Sequence, residues 1–401
     1  MIRNKAYVQA FIALIIIQYL SLATNFLSAW WTLKIVGIKA KYIFEDSLTV
    51  LTAAKCYKTL GFEIYNKNQK DPFCFYPYGH KLLDFVNFFN LDPRNIKIYA
   101  TFEISIIILV LTAIGTIKLT NRLQLIIQTI VLISPPTWLL YSRANIDGII
   151  FCFVVLSALF LAKRFFFISF CLITLTTLMK FYTFPLLLTF PLLTNRIKQR
   201  TIYIILISFT LLAIYPDIKR RELVQPGSLS FGAPVFQFWT NAIIKNIFNL
   251  NMNISVLIGT ILGNVFICLS IYINRKFFGS YLQNFYKTKM NRNSKTILTF
   301  LGMTHISCFM VGMNYDYRLI FLIGAEIILI PHLCRSRKLN NLALIAIVLS
   351  QWLTIFSFGL SGNYFLLIQW FGILIQFELT SLLILICWNF ISQEIKKYRN
   401  H

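Results

Sequence analysis

Residues 98–117 read IYATFEISIIILVLTAIGTI, and this stretch decides the fold class. Its only charged residue is Glu103, and it has the length of about 20 residues that a helix needs to cross a bilayer. Comparable apolar runs recur along the 401-residue chain, in which 57% of the residues are hydrophobic. A soluble core of this size requires less. The sequence therefore predicts an all-α polytopic membrane protein that forms one integral-membrane domain over residues 1–401.

The apolar runs predict about twelve transmembrane helices, within a range of about ten to thirteen. The first run lacks the small-residue cleavage site of a signal peptide, and we expect it to be retained as a helix. The stretch 165–194 contains Lys180, Pro185 and Pro191, which predicts two short or broken helices. The runs cover residues 8–28, 98–117, 123–141, 146–162, 165–180, 182–194, 201–216, 253–273, 296–313, 317–333, 339–357 and 364–391.

The net charge of +24 is concentrated in alternate connections between the apolar runs. Cytoplasmic loops of membrane proteins carry an excess of Lys and Arg, so this alternation predicts that the basic connections and both termini are cytoplasmic. The placement of the charge reports topology and does not indicate nucleic acid as a partner, whereas a basic inner surface favours anionic lipid. The basic connections contain Arg3 and Lys5; Lys118 and Arg122; Lys163 and Arg164; Arg196, Lys198 and Arg200; Arg275 to Lys295; Arg335, Arg337 and Lys338; and Lys396, Lys397 and Arg399.

The other connections are expected on the outer face of the membrane. The first outer loop, residues 40–97, is predicted to carry short amphipathic helices, and a second outer loop covers residues 217–250. Shorter outer connections lie at residues 143–147, at Lys180 and at residues 314–318. The first outer loop holds six of the 14 acidic residues of the chain, namely Glu45, Asp46, Glu63, Asp71, Asp84 and Asp92.

Sequence patterns typical of cofactor sites do not occur in the chain. It has no CxxC, HExxH, Walker or GxGxxG motif, so we expect no metal site of the usual kind and no nucleotide cofactor. Most of the eight cysteines lie in apolar runs and behave as small hydrophobic residues. Cys56 and Cys74 share the first outer loop and can form a disulfide in an oxidising compartment, although the sequence does not fix their distance.

The adjacent carboxylates Glu45 and Asp46 have two interpretations. In the first, one of them acts as a general base, as sugar-transfer chemistry requires, and the other binds substrate hydroxyls or tunes the pKa of the base. They can equally serve the N-terminus of a helix, where negative charge is favourable. A helix-like stretch from Leu48 to Leu60, ended by Gly61, follows them.

A segment rich in aromatic residues and proline lies later in the same loop, where regular helix is disfavoured. Tyr76 and Tyr78 are candidates for stacking on a sugar ring, and they equally suit the membrane interface. His80 follows them as a candidate substrate contact, with a structural or surface role as its alternative.

Ionisable residues next to apolar runs form three further clusters on the predicted outer face. Such residues usually face a cavity, which favours a functional site. The first cluster contains Arg143 and Asp147, whose i,i+4 spacing also permits a simple ion pair. Lys180 interrupts an apolar stretch, where it can bind an anionic headgroup or extend towards the interface. Because the clusters share one depth, we expect them to line a single cavity; their members are Arg143, Asn145 and Asp147; Lys180; and Tyr315, Asp316 and Arg318.

The order of these features resembles the GT-C superfamily of integral-membrane glycosyltransferases, and is most similar to glycosyltransferase family 87. In such enzymes a carboxylate of the first outer loop is the proposed base and the donors are sugars on polyprenyl phosphate. Here the acidic motif is Glu-Asp rather than Asp-x-Asp, which leaves open which carboxylate acts and whether a divalent metal is bound. The resemblance rests on Phe44 to Asp46, Tyr76 to Gly79, Ser134 to Pro136 with Arg143 to Asp147, Lys180 to Tyr182 with Pro185, and Asn314 to Arg318.

The resemblance implies transfer of a hexose such as mannose from a polyprenyl-phosphate donor to a lipid or glycan acceptor, with inversion. It also implies a site on the periplasmic side of a bacterial inner membrane and a role in glycolipid biosynthesis for the cell envelope. Asp46 is the expected base, with Glu45 beside it. The donor phosphate is expected to bind Lys180, Arg143 and Arg318, and the substrates to contact Asn145, Asp147, Tyr76, Tyr78, His80, Tyr315 and Asp316.

Three alternatives stay open at this level. A lipid-linked oligosaccharide or O-antigen ligase shares the topology and the lipid-linked donor, but its diphosphate leaving group demands more arginine in the outer loops. A lipid flippase or transporter would place charged residues along a path through several helices, and only Glu103, Glu326 and Glu378 lie well inside the apolar runs. A structural scaffold subunit would make Asp46 dispensable.

Overall fold

The computed structural model describes an all-α chain. Its described residues are 44–61, 74, 80–115, 122–194, 196–220, 230–248, 268–276, 290–311, 314–334, 339–356 and 363–399, with isolated positions at 9, 12–13, 16, 258, 261–262 and 265–266. The helices are α1 Glu45–Leu60, α2 His80–Phe88, α3 Ile96–Gly115, α4 Arg122–Leu132, α5 Pro135–Arg143, α6 Asp147–Ala162, α7 Phe166–Met179, α8 Phe184–Leu187, α9 Thr189–Leu192, α10 Ile197–Arg220, α11 Ala233–Phe248, α12 Arg292–Val311, α13 Ile320–Leu333, α14 Leu339–Phe356 and α15 Asn363–Arg399.

Short 3₁₀ turns and one β bridge complete the described structure. The turns cover Pro93–Asn95, Phe181–Thr183 and Asp316–Leu319. The two-residue strands β1, Ser230–Phe231, and β2, Asn314–Tyr315, pair antiparallel. The bridge joins the segment before α11 to the segment before α13.

Three described helical segments are long and apolar enough to cross a membrane, namely Pro93–Gly115, Ile197–Asp217 and Leu367–Lys396. A fourth arises if α4 and α5, which meet at a bend of 46°, count as one broken span. The run expected at 123–141 is therefore two helices, because Ser134-Pro135-Pro136 interrupts it. Shorter apolar helices include α6, α7 and α13. The total of about twelve spans stays a prediction, and most of the run 8–28 and about half of the run 253–273 lie outside the described residues.

Helix α13 lies at the centre of the bundle. Every one of its residues is buried, including Glu326 and His332, as expected for a helix that is apolar on all sides. It packs against α12, α14, α4 and α3. Helix α12 in turn packs against α6 and α15, and α6 also packs against α7. These neighbours fix the position of α6, whose N-terminus begins the candidate site.

The broken run predicted at 165–194 is observed. Helix α7 ends at Met179, Lys180 is extended with φ −150° and ψ 121°, and a 3₁₀ turn with the short helices α8 and α9 follows. The Ser157 hydroxyl pairs with the Ser169 hydroxyl at 2.8 Å and joins α6 to α7. The break places Lys180 beside the N-terminus of α6.

The three glutamates within the apolar runs have hydrogen-bond partners on neighbouring segments. Gln351 donates to Glu326 at 3.1 Å, and Asn274 donates to Glu378 at 2.9 Å. Glu103 lies 3.4 Å from the Ser47 hydroxyl. These contacts join different helices, so the glutamates take part in helix packing.

Candidate functional site

The start of α1 is tied to the end of α5. Phe44, directly before α1, has a left-handed backbone with φ 64°, and its amide donates to the carbonyl of Ser142 at 2.8 Å. The predicted helix after Glu45-Asp46 forms and is ended by Gly61. The contact with Ser142 brings the first turn of α1 to Arg143 and Asn145.

Asp46 is held by two side chains from the α5–α6 region. Arg143 donates to Asp46 Oδ1 through Nε at 2.8 Å and through Nη2 at 2.5 Å. Asn145 Nδ2 donates to the other oxygen, Oδ2, at 2.6 Å. The Asp46 side chain keeps 16% of its surface exposed, and the Arg143 side chain keeps 25%. The carboxylate is thus oriented by an arginine and an amide while staying accessible.

The turn between α5 and α6 presents both residues. Ala144 follows α5 in a left-handed conformation with φ 44°, and its amide donates to Tyr141 at 3.2 Å. Asn145 Oδ1 then accepts a hydrogen bond from the backbone amide of Asp147, the first residue of α6, at 2.9 Å. The Ser47 hydroxyl from α1 hydrogen-bonds to the Ala144 carbonyl.

Asp147 is fully buried and is the centre of a second set of contacts. Its Oδ1 accepts from Lys180 Nζ at 2.7 Å and from the Tyr182 hydroxyl at 2.5 Å. Its Oδ2 accepts from Arg318 Nε at 3.0 Å. The Asp147 side chain has no exposed surface, Lys180 keeps 11% and Arg318 keeps 5%. A buried carboxylate is stable only with such pairing.

Asn145 connects the two carboxylate centres. Its Nδ2 binds Asp46, and its Oδ1 lies 3.5 Å from Lys180 Nζ, which binds Asp147. The Arg318 guanidinium lies over the Tyr182 ring at 5.5 Å from the ring centre, a favourable cation–π contact. Residues from α1, from the α5–α6 turn, from the break after α7 and from the turn before α13 therefore form one polar network. We call it the Asp46–Asp147 network.

The described side chains of the three polar clusters come together, whereas the cavity that they are expected to line stays a prediction. Arg143 pairs with Asp46, and Asp147 pairs with Lys180 and Arg318. The i,i+4 alternative requires a continuous helix from residue 143 to residue 147, and the left-handed turn at Ala144 breaks that helix. Lys180 is turned inward onto Asp147 rather than outward to a headgroup.

His80 lies in another contact. Its backbone amide and its Nδ1 both face Asp217 Oδ1, at 3.2 Å and 2.6 Å, and its ring is 6.4 Å from that of Tyr57. His80 is buried, and the contact joins the start of α2 to the end of α10. This geometry fits the structural alternative for His80 as well as a site role.

Several expected site residues lie outside the described part. Tyr76 and Tyr78 are not among the described residues, and for Glu45, Tyr315 and Asp316 only the backbone is described. The backbone of Tyr315 forms the bridge with Ser230. Within the described residues, no group of three His, Cys, Asp or Glu side chains is arranged to hold a metal ion.

Sequence reasoning assigned no site role to three residues that lie in or beside the network, namely Tyr182, Ser47 and Glu103. Tyr182 and Ser47 carry hydroxyls that only the fold brings to their acceptors. Glu103 is buried beside Ser47, and its Oε1 has no hydrogen-bond partner among the described residues. The sequence held a signal for Glu103, because it is the only charged residue of the run 98–117.

The remaining carboxylates of the first outer loop are described in part. Asp84 pairs with Lys81 at 3.6 Å and keeps 47% of its side chain exposed. Asp92 accepts the backbone amide of Arg94 and pairs with its guanidinium. The hydrogen bond from the Arg94 side chain lowers the pKa of Asp92 to about 2. Both residues serve the local fold.

The first outer loop also contains a disulfide. Cys56 at the end of α1 is bonded to Cys74, and their Cα atoms are 5.6 Å apart.

Comparisons of the chain with protein-family models, with curated proteins and with solved structures find no match.

Proposed function

We propose that the chain is a membrane glycosyltransferase that moves a hexose from a polyprenyl-phosphate donor to a lipid or glycan acceptor. The proposal retains the expected arrangement of about twelve membrane helices, with both termini cytoplasmic and the site on the outer face of a bacterial inner membrane. The observation that carries it is the Asp46–Asp147 network. A partly exposed carboxylate lies there in one hydrogen-bonded set with three cations.

The charges of the network suit a donor with a single phosphate. Arg143 binds Asp46, and Lys180 and Arg318 both bind Asp147, so that two cations converge on one carboxylate. A sugar linked to a lipid through one phosphodiester carries one negative charge. Arginine and lysine stabilise such a leaving group without a metal. A diphosphate leaving group, as in the ligase alternative, would require more cations.

Donor binding would release the proposed base. Both oxygens of Asp46 accept hydrogen bonds in the structure. A donor phosphate competes for the Arg143 guanidinium, and when Arg143 turns to it, Asp46 Oδ1 becomes free to accept a proton. Asp46 then takes the proton of the acceptor hydroxyl as that oxygen bonds to the anomeric carbon. The bond from the anomeric carbon to the phosphate oxygen breaks, its electrons stay on the phosphate, and the configuration inverts.

Asp147 has a positioning role in this scheme. It is fully buried, so it acts on substrates through the two cations that it binds. Lys180 and Arg318 hold the phosphate as it leaves, and Asp147 fixes their direction through bonds of 2.7 Å and 3.0 Å. Such prior orientation is the main way in which charged groups lower a reaction barrier.

The Cys56–Cys74 disulfide supports the outer location of the site. Disulfides persist in oxidising compartments and are rare in the cytosol. The bond lies at the end of α1, the helix whose first turn carries Asp46. The side of the membrane that carries this helix is thus proposed to be the periplasmic one.

The proposal is tested with purified protein and labelled polyprenyl-phosphate hexoses. Asp46→Asn keeps the size of the side chain but removes the base, and we expect transfer to fall by about 10²- to 10⁴-fold. Asp84→Asn is the matched control, because it removes an exposed carboxylate of the same loop, and it should transfer at the wild-type rate. Equal rates in wild type and Asp46→Asn would remove Asp46 as the base. Absence of transfer from every donor, together with measurable lipid movement, would favour the transporter class.

A further inference from the structure

A second charged region lies at the opposite end of α6. A cavity of about 320 Å³ opens there among α6, α9, α12 and α15. This volume is in the range of sites for small ligands. The far end of α6 lies about 24 Å from Asp147, since the helix has 16 residues and rises 1.5 Å per residue. The cavity is therefore separate from the Asp46–Asp147 network.

The polar side of the cavity is mainly cationic. Arg164, Arg292 and Lys295 line it together with one carboxylate, Glu394. Among these lining residues the cations outnumber the carboxylate by three to one, which gives the wall an excess of positive charge. Arg292 begins the 20-residue helix α12, whose N-terminal dipole adds positive potential. The wall is suited to an anion.

The other side of the cavity is apolar. Leu161, Leu193, Phe300 and Phe390 contribute to it, and the Lys295 ammonium lies over the Phe390 ring at 5.5 Å from its centre. A free inorganic anion gains nothing from apolar walls. A molecule with a charged head and a hydrocarbon part matches both sides of the cavity.

Arg164 strengthens this interpretation. It lies in the turn between α6 and α7 with φ 67°, a conformation that glycine adopts at lower cost than arginine. Its side chain lines the 320 Å³ cavity and also a neighbouring one of about 480 Å³, which contains Arg196. An arginine in a turn that favours glycine is consistent with a binding role for its guanidinium.

We propose that the cavity between α6, α9, α12 and α15 binds an anionic phospholipid, with the headgroup phosphate on Arg164, Arg292 and Lys295 and an acyl chain along Phe300 and Phe390. The site is independent of the proposed transfer reaction. A positive-inside arrangement explains why the cations are at this end. It does not explain their convergence on a concave wall that is half apolar.

The test measures lipid binding by the full chain in an uncharged detergent. Fluorescent phosphatidylglycerol and fluorescent phosphatidylcholine are the probes, and inorganic phosphate is the competitor. The double variant Arg292→Gln with Lys295→Gln should bind phosphatidylglycerol about tenfold more weakly, because two charge-assisted contacts are lost. Lys163→Gln with Lys198→Gln is the charge-matched control, since both lysines are exposed and neither lines the cavity. It should bind as wild type does.

Arg164→Gly provides a second variant that does not strain the fold, because glycine accepts the backbone of this turn. We expect it to lower the affinity for phosphatidylglycerol while leaving thermal stability unchanged or higher. Equal affinity of wild type for the two lipids would overturn the proposal. So would an equal loss of binding in the control double variant, or displacement of phosphatidylglycerol by an equimolar amount of inorganic phosphate.

Discussion

Asn145 Nδ2 lies 2.6 Å from Asp46 Oδ2, although 99 residues separate the two in the chain. The Oδ1 atom of the same side chain accepts a hydrogen bond from the backbone amide of Asp147. It also lies 3.5 Å from Lys180 Nζ. One side chain thus orients both carboxylate centres. The amide is needed for this because a donor must face Asp46 while an acceptor faces Asp147.

The first prediction exploits that asymmetry. Asn145→Asp keeps the acceptor but places a second carboxylate against Asp46, so it should destabilise the protein by about 2 kcal/mol and more than Asn145→Ala does. Thermal unfolding in detergent measures the order of the two variants. Asn90→Asp is the control, because Asn90 accepts a hydrogen bond from Lys58 at an exposed position. A carboxylate at this position should leave the stability unchanged or raise it slightly. A more stable Asn145→Asp than Asn145→Ala would contradict the assigned contacts.

The second prediction concerns the buried centre. Asp147→Asn leaves Lys180 and Arg318 buried without their counter-charge, and this should cost about 3–5 kcal/mol of unfolding free energy. Asp84→Asn breaks an exposed pair with Lys81 and should cost less than about 1 kcal/mol. The measurement is the unfolding transition of both variants beside wild type. Similar transitions for the two would show that Asp147 is not the buried partner of the cations.

The third prediction concerns the cysteines. Denatured protein that has not been reduced should react with a maleimide polymer at six cysteines, and reduced protein should react at all eight. The difference arises because the Cys56–Cys74 pair is bonded. Cys56→Ser should add one reactive thiol to the unreduced protein. Eight reactive thiols in unreduced protein from an oxidising compartment would exclude the bond.

The fourth prediction tests the packing of α13. A Cβ added at Gly324 would lie 2.6 Å from Phe151 and 2.8 Å from Leu301, inside van der Waals contact. Gly324→Ala should therefore destabilise the bundle by about 1–3 kcal/mol. Gly372→Ala on α15 meets only Leu353 at 3.6 Å or more, and it should be neutral or stabilising because alanine favours helix. We expect the melting temperature of Gly324→Ala to fall and that of Gly372→Ala to stay the same or rise.

The fifth prediction concerns sidedness. A cysteine introduced by Asp84→Cys should react with an impermeant maleimide from outside intact cells, and one introduced by Lys163→Cys should react only after lysis. Both positions are exposed, and the charge pattern predicts them on opposite faces. Labelling of both from the same side would overturn the predicted topology.

The convergence of the site residues was predictable, but their pairing was not. Ionisable residues at one depth of an apolar bundle avoid lipid and therefore tend to meet, which indicated Arg143, Asp147, Lys180 and Arg318 together. Their choice of partners depends on the rotation and tilt of helices that the sequence does not fix. The left-handed turn at Ala144 decides it here, because it sends Arg143 to α1 and Asp147 into the bundle.

The breaks in the apolar runs were predictable in part. The break at Lys180 was predicted from a charge and two prolines, whereas the bend between α4 and α5 at Ser134-Pro135-Pro136 was not predicted. The contact between His80 and Asp217 joins positions 137 residues apart, and no local pattern indicates such a partner. The number of membrane spans stays a prediction because several apolar helices are shorter than a bilayer requires.

Helix α15 has a consequence for the shape of the protein at the membrane surface. It is 37 residues long, which corresponds to about 55 Å at 1.5 Å per residue. The hydrocarbon core of a bilayer is about 30 Å thick. A helix of this length exceeds that thickness by about 25 Å, so in a perpendicular orientation it would place the turn at Lys396 beyond the hydrocarbon. Because α15 is continuous, any tilt of its membrane segment would move that turn with it.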